Sequence, residues 1–252
     1  MQAYGEEFAG VYDLRWGGFA NYVGPKIVDF YNKTTTAARH PRVLDLCCGA
    51  GHLSRILLEE GFPVVGLDLS PGMLAHAQKR NRRFIAHGMA EFRLADARDF
   101  VVEKPFGLVV CTFDAVNHFD DTDELEACFR CVKTALVDDG FFMFDINTER
   151  GLRHWNGLEV DDSEEITIIS RGVFGVGMSR AYTHVSGFRK RSDGCYTRFE
   201  ETVYNTVFSV EDVLVRLDAA GFRDVRATHD SDFGKDLLDP EDSSRVFFVA
   251  RP

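Results

Sequence analysis

The stretch that decides the fold of this chain reads Val43-Leu44-Asp45-Leu46-Cys47-Cys48-Gly49-Ala50-Gly51-His52-Leu53-Ser54. Its apolar first half belongs to a buried strand predicted from Arg42 to Cys48, and apolar residues then share one face of a helix predicted from His52 to Glu60. A Gly-x-Gly turn separates the two. Glycines let the backbone approach a ligand closely and adopt conformations closed to other residues. The stretch therefore predicts a strand, a ligand-binding turn and a helix.

The next strand is predicted from Pro63 to Asp68, and its last residue strengthens this interpretation. Asp68 stands 17 residues after Gly51. An acidic side chain at this point can accept hydrogen bonds from both hydroxyls of a ribose. The sequence therefore indicates a nucleoside ligand at the Gly-x-Gly turn.

Two residues of the turn region favour one kind of nucleoside. A dinucleotide fingerprint has a third glycine three residues after the second, but Ser54 occupies that position here. Asp45, at the carboxyl end of the first strand, would repel a pyrophosphate and suits a ligand that carries an ammonium and a sulfonium. The sequence therefore favours a cationic nucleoside over a dinucleotide.

Along most of the chain, short β-rich runs alternate with helical patterns, which predicts an α/β fold with a parallel sheet covered by helices. The further predicted strands are Phe92 to Ala97, Gly107 to Phe113, Gly140 to Ile146, Val225 to Thr228 and Val246 to Ala250. The further predicted helices run from Pro71 to about Arg82, from Asp121 to Val137 and from Val210 to Ala220.

Two regions depart from this alternation. Met1 to Pro41 carries aromatic and aliphatic residues at helical spacing, and Arg150 to Phe208 has the β-branched and aromatic composition of an antiparallel insertion. Within that insertion, Asp193-Gly194 is typical of a two-residue hairpin turn. This turn predicts that Phe188 pairs with Phe199 and that Arg189 pairs with Arg198.

The charge balance excludes some partners. The chain has 252 residues, with 29 Lys and Arg against 40 Asp and Glu, a net charge of −11. Such a chain is a poor general binder of nucleic acid or anionic lipid, because neutralising phosphates requires a basic surface. We expect neither a nucleic-acid nor a membrane partner, and the oligomeric state stays open.

The amino terminus and the cysteines indicate a cytoplasmic location. No basic start followed by an apolar stretch precedes Tyr12, and the longest apolar runs, such as Gly107 to Phe113, are too short to span a bilayer. Six cysteines in a chain without an export signal are typical of reduced thiols.

In these motifs the sequence resembles the class I S-adenosylmethionine-dependent methyltransferases, in particular the small-molecule branch with an inserted β lobe. The matching motifs are Asp45-x-x-x-Gly49-x-Gly51, Asp68 with Leu69 and Met73, Asp96-Ala97, and Thr112 to His118. The resemblance implies a Rossmann-like, mostly parallel seven-stranded sheet with a reversed last strand. It also implies an amino-terminal helical lid (residues 1–41), a cofactor domain (42–149 and 209–252) and an antiparallel β lobe on the substrate side (150–208). Cys47 departs from the pattern, since many members have a glycine there.

The resemblance implies S-adenosylmethionine as the cofactor, without a metal ion. The residues it implies for cofactor binding are Tyr12, Asp45, Gly49, Gly51, Asp68, Leu69, Met73, Asp96, Ala97 and Thr112. Core packing stays an alternative for Tyr12 and Met73, and a merely solvated carboxylate stays one for Asp96.

His118 is the candidate general base, because imidazole titrates near neutral pH and the resemblance places it beside the methyl group. The alternative is that His118 only lines the pocket. The implied reaction transfers a methyl group to a nitrogen or oxygen of a small molecule. An anionic substrate is worth testing, since residues 166–198 hold six basic residues and one acidic residue.

Two other functions stay open at this point. The chain could bind S-adenosylmethionine without transferring the methyl group, because an intact turn indicates binding and not turnover. An NAD-dependent oxidoreductase is the weaker alternative, given Ser54 and Asp45. A nucleic-acid methyltransferase is disfavoured, because the chain lacks the Asn/Asp-Pro-Pro-aromatic motif that stacks a flipped base.

Overall fold

The computed structural model describes residues 5–252, so Met1 to Tyr4 of the predicted lid lie outside the described residues. The helices are α1 (Glu6–Arg15), α2 (Gly18–Asn32), α3 (Thr35–Arg39), α4 (His52–Glu59), α5 (Pro71–Arg80), α6 (Arg82–Ala86), α7 (Thr122–Ala135), α8 (Glu149–Arg153) and α9 (Val210–Ala220). The strands are β1 (Val43–Leu46), β2 (Val64–Asp68), β3 (Ala90–Leu94), β4 (Phe106–Cys111), β5 (Leu136–Asn147), β6 (Gly157–Asp162), β7 (Ile166–Val173), β8 (Arg180–Lys190), β9 (Tyr196–Thr206), β10 (Asp224–His229), β11 (Asp232–Asp236) and β12 (Arg245–Arg251).

Across residues 5–252, eight strands form the central sheet in the order β11-β10-β12-β5-β4-β1-β2-β3. Strands β1 to β5 run parallel, and β12 is antiparallel to both β5 and β10. The predicted Rossmann-like sheet of seven strands with a reversed last strand is therefore confirmed. No sequence pattern predicted β11, a short edge strand, because only Phe233 of it is buried and charged residues surround it.

Apolar side chains cover both faces of this sheet. One face packs against α7 and α9, where Phe129 and Leu217 are fully buried, and the other packs against α2 and α4, where Ile27 and Leu57 are fully buried. The carboxyl ends of β1, β2 and β4 meet at one edge of the sheet, because these strands are parallel neighbours. Ligands bind at this edge in doubly wound α/β folds. No helix in the described part of the chain is both long enough and apolar enough to cross a membrane.

A second, antiparallel sheet follows α8, with the strand order β6-β7-β8-β9. Its last hairpin pairs Gly187 with Phe199 and Phe188 with Arg198. The predicted pairing of Phe188 with Phe199 and of Arg189 with Arg198 is therefore wrong by one residue.

The turn of this hairpin explains the shift in register. The Gly194 amide donates a hydrogen bond to the Arg191 carbonyl oxygen at 3.0 Å, and Gly194 has a φ of +82°. These features are typical of a longer loop, in which a type I turn precedes a left-handed glycine that forms a β-bulge. The extra residue in the loop moves the pairing by one position.

Helix α1 lies between the two sheets. On one side, Phe8 and Val11 pack against Ile168 of β7 and other apolar residues of the second sheet. On the other side, Ala9 packs against Ala50 in the turn after β1. The amino-terminal helix therefore joins the antiparallel sheet to the candidate ligand-binding turn.

We expect Gly51→Ala to destabilise the protein more than Gly88→Ala. Both glycines have positive φ, +72° and +71°. A Cβ on Gly51 would lie 2.8 Å from Asn81 Nδ2 and 3.0 Å from the Ala77 Cα, whereas one on Gly88 would meet no atom within 4 Å. Gly88→Ala should cost only the left-handed backbone, about 1–2 kcal/mol. Gly51→Ala should cost about 1–3 kcal/mol more, because it overpacks the contact with α5. Urea denaturation measures both free energies of unfolding, and equal losses would contradict the close contact.

Candidate active site

Asp68 holds the turn after β1 in place. Its Oδ2 accepts a hydrogen bond from the Gly49 amide and its Oδ1 accepts one from the Ser70 amide, each at 2.8 Å. Gly49 and Gly51 have φ angles of +52° and +72°, which favour glycine. A Cβ on Gly49 would meet no atom within 4 Å. The turn is therefore a fixed strip of backbone with open space above Gly49.

Asp45 lies beneath this turn and is 2 % exposed. Its carboxylate accepts a hydrogen bond from Ser54 Oγ, so the residue that replaces the third glycine of a dinucleotide fingerprint serves this carboxylate. Burial raises the pKa of Asp45 to about 7 against the opposing effect of Ser54, and the charge of Asp68 adds to the rise. Burial also raises the pKa of Asp68. Within residues 5–252, no lysine, arginine or histidine pairs with either carboxylate, so this edge suits a cationic ligand.

Met73 and Tyr12 meet at the same turn. Met73 is 1 % exposed and packs with Ala9 and Ala50, and Tyr12 covers this cluster from α1. Leu69 and Thr112 are half-buried and directly follow β2 and β4. The structure therefore brings all four of these predicted residues to the edge that holds the turn, although Met73 is also a packing residue.

Asp96 is already bound to another side chain. The predicted strand from Phe92 to Ala97 included Asp96, but β3 ends at Leu94, so Asp96 lies two residues beyond the strand. Its carboxylate oxygens accept hydrogen bonds from Arg98 Nε at 2.9 Å and Nη2 at 2.5 Å, and Arg98 lowers the pKa of Asp96. Ala97 is 3 % exposed and packs in the core. A ligand that contacts Asp96 would share the carboxylate with Arg98.

A polar cluster connects α1 to this edge of the sheet. No sequence pattern predicted it. Asp13 Oδ1 lies 2.9 Å from His52 Nε2 and Oδ2 lies 3.1 Å from His76 Nδ1, and Arg80 also donates to the carboxylate. Burial raises the pKa of the Asp13 carboxyl. Arg80 and the two histidines lower it by more, so the pKa of Asp13 is lowered overall. Because α4 and α5 supply the partners, no local pattern in α1 predicts them.

A cavity of about 790 Å³ lies between α1, the loop after β4 and the second sheet. Its aromatic wall includes Tyr12, whose ring centroid lies 5.5 Å from that of Trp16 and 6.1 Å from that of Phe113. The second sheet contributes the neutral residues Ile168, Ser170, Gly172, Thr183, Val185, Val203 and Asn205. A cavity of this volume accommodates a small molecule.

The charged lining of the cavity is not basic. Its arginines are Arg15, 2.8 Å from Asp161, and Arg245, 2.7 Å from Asp114, and Glu159 lines it as well. None of the six basic residues between positions 166 and 198 lines the cavity. The net positive charge of residues 166–198 therefore lies outside the cavity.

His118 lines the cavity at the end of the short 3-10 turn Ala115–His118. Burial lowers the pKa of its imidazole to about 4, although a hydrogen bond with the backbone of Tyr204 opposes the shift. The imidazole is therefore neutral at pH 7, and at this pKa it is a weak base. Both roles considered for His118, base and pocket wall, stay predictions.

Three charged residues at the floor of the cavity were not predicted. Asp145 Oδ1 and Oδ2 accept hydrogen bonds from the amides of Phe113 and Asp114 at 2.7 and 2.9 Å, and Arg245 pairs with both carboxylates. Asp114 stands inside the Thr112 to His118 motif, so this motif is the sequence signal that indicates it. Arg245 stands 131 positions later, and no sequence pattern links the two.

Comparisons with known proteins agree with this geometry. Residues 43–140 match the family described as a methyltransferase domain. The chain is 30 % identical over 217 residues to "Putative methyltransferase YqeM" of Bacillus subtilis (strain 168), which covers 83 % of each protein. It is 32 % identical over 145 residues to a Streptomyces fradiae protein, dTDP-3-amino-3,6-dideoxy-alpha-D-glucopyranose N,N-dimethyltransferase, over 54 % of this chain and 52 % of that protein.

Solved structures share the fold. The crystal structure of an S-adenosylmethionine-dependent methyltransferase from Clostridium acetobutylicum ATCC 824 superposes with a TM-score of 0.77. The match is 22 % identical in sequence and covers 97 % of each chain. Both the central and the antiparallel sheet therefore belong to a known architecture.

We expect Asp45→Asn to stabilise the protein in a pH-dependent way. Between about pH 4 and 7 the folded chain binds more protons at Asp45 than the unfolded chain, whose carboxyl titrates near 3.9. Stability therefore falls as the pH rises through this window, and a neutral amide removes that loss. At pH 8, where the folded carboxyl is ionised, the variant should melt several degrees higher than the wild type.

At about pH 4.5 the difference in melting temperature should be much smaller, because most of the window between the unfolded and the folded pKa lies above that pH. Asp232→Asn, at an exposed carboxylate, is the matched control and should leave both melting temperatures unchanged. A difference between the Asp45 variant and the wild type that is the same at both pH values would contradict the raised pKa.

Proposed function

The chain belongs to the class I S-adenosylmethionine-dependent methyltransferases, and we propose that it methylates the amine of a small polyhydroxylated molecule such as an amino sugar. The charge of the cavity carries this proposal. Among the lining residues, the carboxylates of Asp114, Glu159 and Asp161 outnumber the guanidinium groups of Arg15 and Arg245. A negative balance attracts a protonated amine and repels an anion.

The residues at the turn after β1 fit S-adenosylmethionine. Asp45 would hold the ammonium of the methionine part, because a buried carboxylate without a cationic partner favours a positive ligand. Gly49 and Gly51 would let the methionine part approach the backbone. Asp68 would accept the ribose hydroxyls, since each carboxylate oxygen can accept more than one hydrogen bond.

The remaining predicted contacts concern the adenine and the methyl group. We propose Leu69, Met73, Asp96 and Ala97 for the adenine, with Asp96 shared between the base and Arg98. Tyr12 and Thr112 would border the methyl group. When bound, the cofactor supplies a methyl group on a sulfonium, which leaves readily as a thioether.

The main task of the protein is then positioning. Holding the nucleophile and the methyl group in near-attack geometry can supply about 7–11 kcal/mol of the barrier. Helix α1 would exclude water by closing over the turn, where Asp13 binds His52 and Arg80. We propose residues 1–41 as the lid, residues 42–149 and 209–252 as the cofactor domain, and residues 150–208 as the substrate lobe.

The Streptomyces fradiae relative supports an amine substrate, because its name specifies a dTDP-linked amino sugar and an N,N-dimethyltransferase. We propose a substrate without a nucleotide diphosphate, because Arg15 and Arg245 are already paired with carboxylates. The anionic substrate expected from the basic residues between positions 166 and 198 has no support in the cavity lining. A cytoplasmic location stays a prediction, which the six free cysteines favour.

Labelled S-adenosylmethionine tests the proposed function. The purified protein is incubated with 3-amino-3-deoxyglucose, with glucose as its hydroxyl counterpart, and with a dTDP-linked amino sugar. We expect label on the amine of the free amino sugar, little on glucose, and slower transfer to the nucleotide-linked sugar. Asp68→Asn should weaken cofactor binding by about 10-fold or more, the effect of one charge-assisted hydrogen bond.

The outcomes separate the alternatives. Tight cofactor binding without transfer to any amine would favour a binding protein that does not transfer the methyl group. Faster methylation of the nucleotide-linked sugar or of an acid would contradict the inference drawn from the cavity charges. Unchanged cofactor affinity in Asp68→Asn would remove Asp68 from the site.

We expect His118→Asn to lower kcat without changing the pH dependence between about pH 6 and 9, because a group with a pKa of about 4 does not titrate there. The measurement is a pH profile of kcat for wild type and variant. A step near pH 6.5 in the wild type that the variant loses would instead identify His118 as the general base.

A further inference from the structure

The floor of the cavity holds two carboxylates and one arginine. Asp114 and Arg245 line the cavity, and the Asp145 side chain lies behind them, fully buried. Arg245 Nη2 donates a hydrogen bond to Asp114 Oδ1 at 2.7 Å, and Nη1 donates one to Asp145. Within residues 5–252, Arg245 is the one cation within ion-pair distance of either carboxylate. With two negative groups and one positive group, the floor carries a net charge of −1 when all are ionised.

The other partners of this group are neutral. The amide side chains of Asn147 and Asn205 favour the ionised form of Asp114 and lower its pKa. Asp145 accepts its two further hydrogen bonds from the backbone amides of Phe113 and Asp114. Dipoles such as these stabilise a carboxylate but leave its charge in place. The excess negative charge is therefore available to a ligand in the cavity.

The backbone that presents Asp114 is strained. Phe113 and Asp114 have φ angles of +66° and +48°, and a left-handed residue other than glycine costs about 1–2 kcal/mol. Asp145 holds both amides, and the Arg245 guanidinium lies 4.8 Å from the Phe19 ring centroid and 5.7 Å from that of Phe113. Strain that the surroundings maintain in this way clusters at functional sites.

We propose that Asp114 is the catalytic carboxylate that binds the ammonium group of the substrate and takes its proton before methyl transfer. This inference rests on the proposed function, because it names the group that selects an amine within the same site. A bound ammonium would bring the floor from a charge of −1 to zero. An alcohol would leave the charge at −1, and an anion would make it more negative, at −2.

The proton step is balanced at Asp114. One N–H bond of the ammonium breaks, its electron pair stays on nitrogen as the lone pair that attacks, and the proton forms an O–H bond with the carboxylate. The proton passes to water when the product leaves. Burial raises the pKa of Asp114 although Arg245 lowers it, which favours this transfer. Arg245 and Asp145 are positioning residues, because Arg245 pairs with the Asp114 carboxylate and Asp145 accepts hydrogen bonds from the amides of Phe113 and Asp114.

Other titratable groups also face the cavity. His118 ends the 3-10 turn that directly follows Asp114, and burial keeps its imidazole neutral above about pH 4. The remaining titratable groups in the lining are Tyr12, Arg15, His154, Glu159 and Asp161. Arg15 and Asp161 pair with each other at 2.8 Å. Asp114 therefore differs from the other carboxylates in the lining by its burial and its fixed backbone.

Asp114→Asn tests the proposal, since it removes the charge and keeps the shape. Calorimetry in the presence of S-adenosylhomocysteine gives the Kd of 3-amino-3-deoxyglucose and of glucose. The wild type should prefer the amine by about 10-fold to 100-fold, the range of a charge-assisted hydrogen bond, and the variant should prefer it by less than about 3-fold. The Kd of S-adenosylhomocysteine should stay unchanged. In the wild type, kcat/KM should rise with pH as Asp114 ionises, and the variant should lose that limb.

Two further variants separate this role from a structural one. Asp230→Asn removes another buried carboxylate from an ion pair, with Lys26 at 2.5 Å, but lies outside the cavity and should keep the amine preference. Asp114→Glu should restore the preference that Asp114→Asn loses. If Asp114→Asn does not fold, Asp114→Ser is the second neutral variant for the same ratio.

Each outcome decides between the two claims. A wild type that methylates the amine beside an Asp114→Asn variant with an unchanged amine preference overturns the role of Asp114 and leaves the proposed function standing. A loss of S-adenosylhomocysteine affinity that equals the loss of amine affinity also overturns it. A wild type that binds neither sugar contradicts the proposed function, and this inference with it.

Discussion

Buried and half-buried carboxylates at the carboxyl edge of the central sheet are the constraint on which this structure depends. Asp45 and Asp68 lie at the ends of β1 and β2, Asp145 lies in β5, and Asp114 follows β4. In the described part of the chain, Arg245 is the one cation that pairs with any of them. Backbone amides and the Ser54 hydroxyl stabilise these groups in place of water. The charge left over suits cationic ligands, the methyl donor and the proposed amine.

This arrangement lowers the stability of the free protein and prepares the site for its ligands. Burial raises the pKa of Asp45. The ionised form of such a carboxyl destabilises the folded chain at neutral pH until a cation binds. The left-handed backbone of Phe113 and Asp114 adds strain of the kind that clusters at functional sites. Helix α1 contributes from the other side, because Asp13 binds side chains of both helices that flank the cofactor turn. Charged contacts therefore hold α1 to the turn after β1 together with the apolar packing of Ala9 on Ala50.

Local patterns in the sequence predicted the sheet and the cofactor turn. The run from Val43 to Ser54 and the spacing to Asp68 are local, so periodicity and glycine placement were sufficient, and the predicted sheet is confirmed. The predicted register of the hairpin is wrong, because the turn is of another type than predicted. Its bulge at Gly194 moves every pair by one residue. The partners of Asp13 and Asp114 come from distant elements, and only the folded chain brings them together. Local pattern thus predicts where the site lies, and tertiary contacts determine its charge.

Proton release during cofactor binding tests this account most directly. Calorimetric titration of S-adenosylmethionine at pH 7 in buffers of different ionisation enthalpy gives the number of protons exchanged. Because the pKa of Asp45 is about 7 in the free protein and a cation requires the ionised form, binding should release about half a proton. The release should disappear in Asp45→Asn. Binding heats that do not depend on the buffer, or an equal release from the variant, would contradict the claim that buried carboxylates ionise to hold the methyl donor.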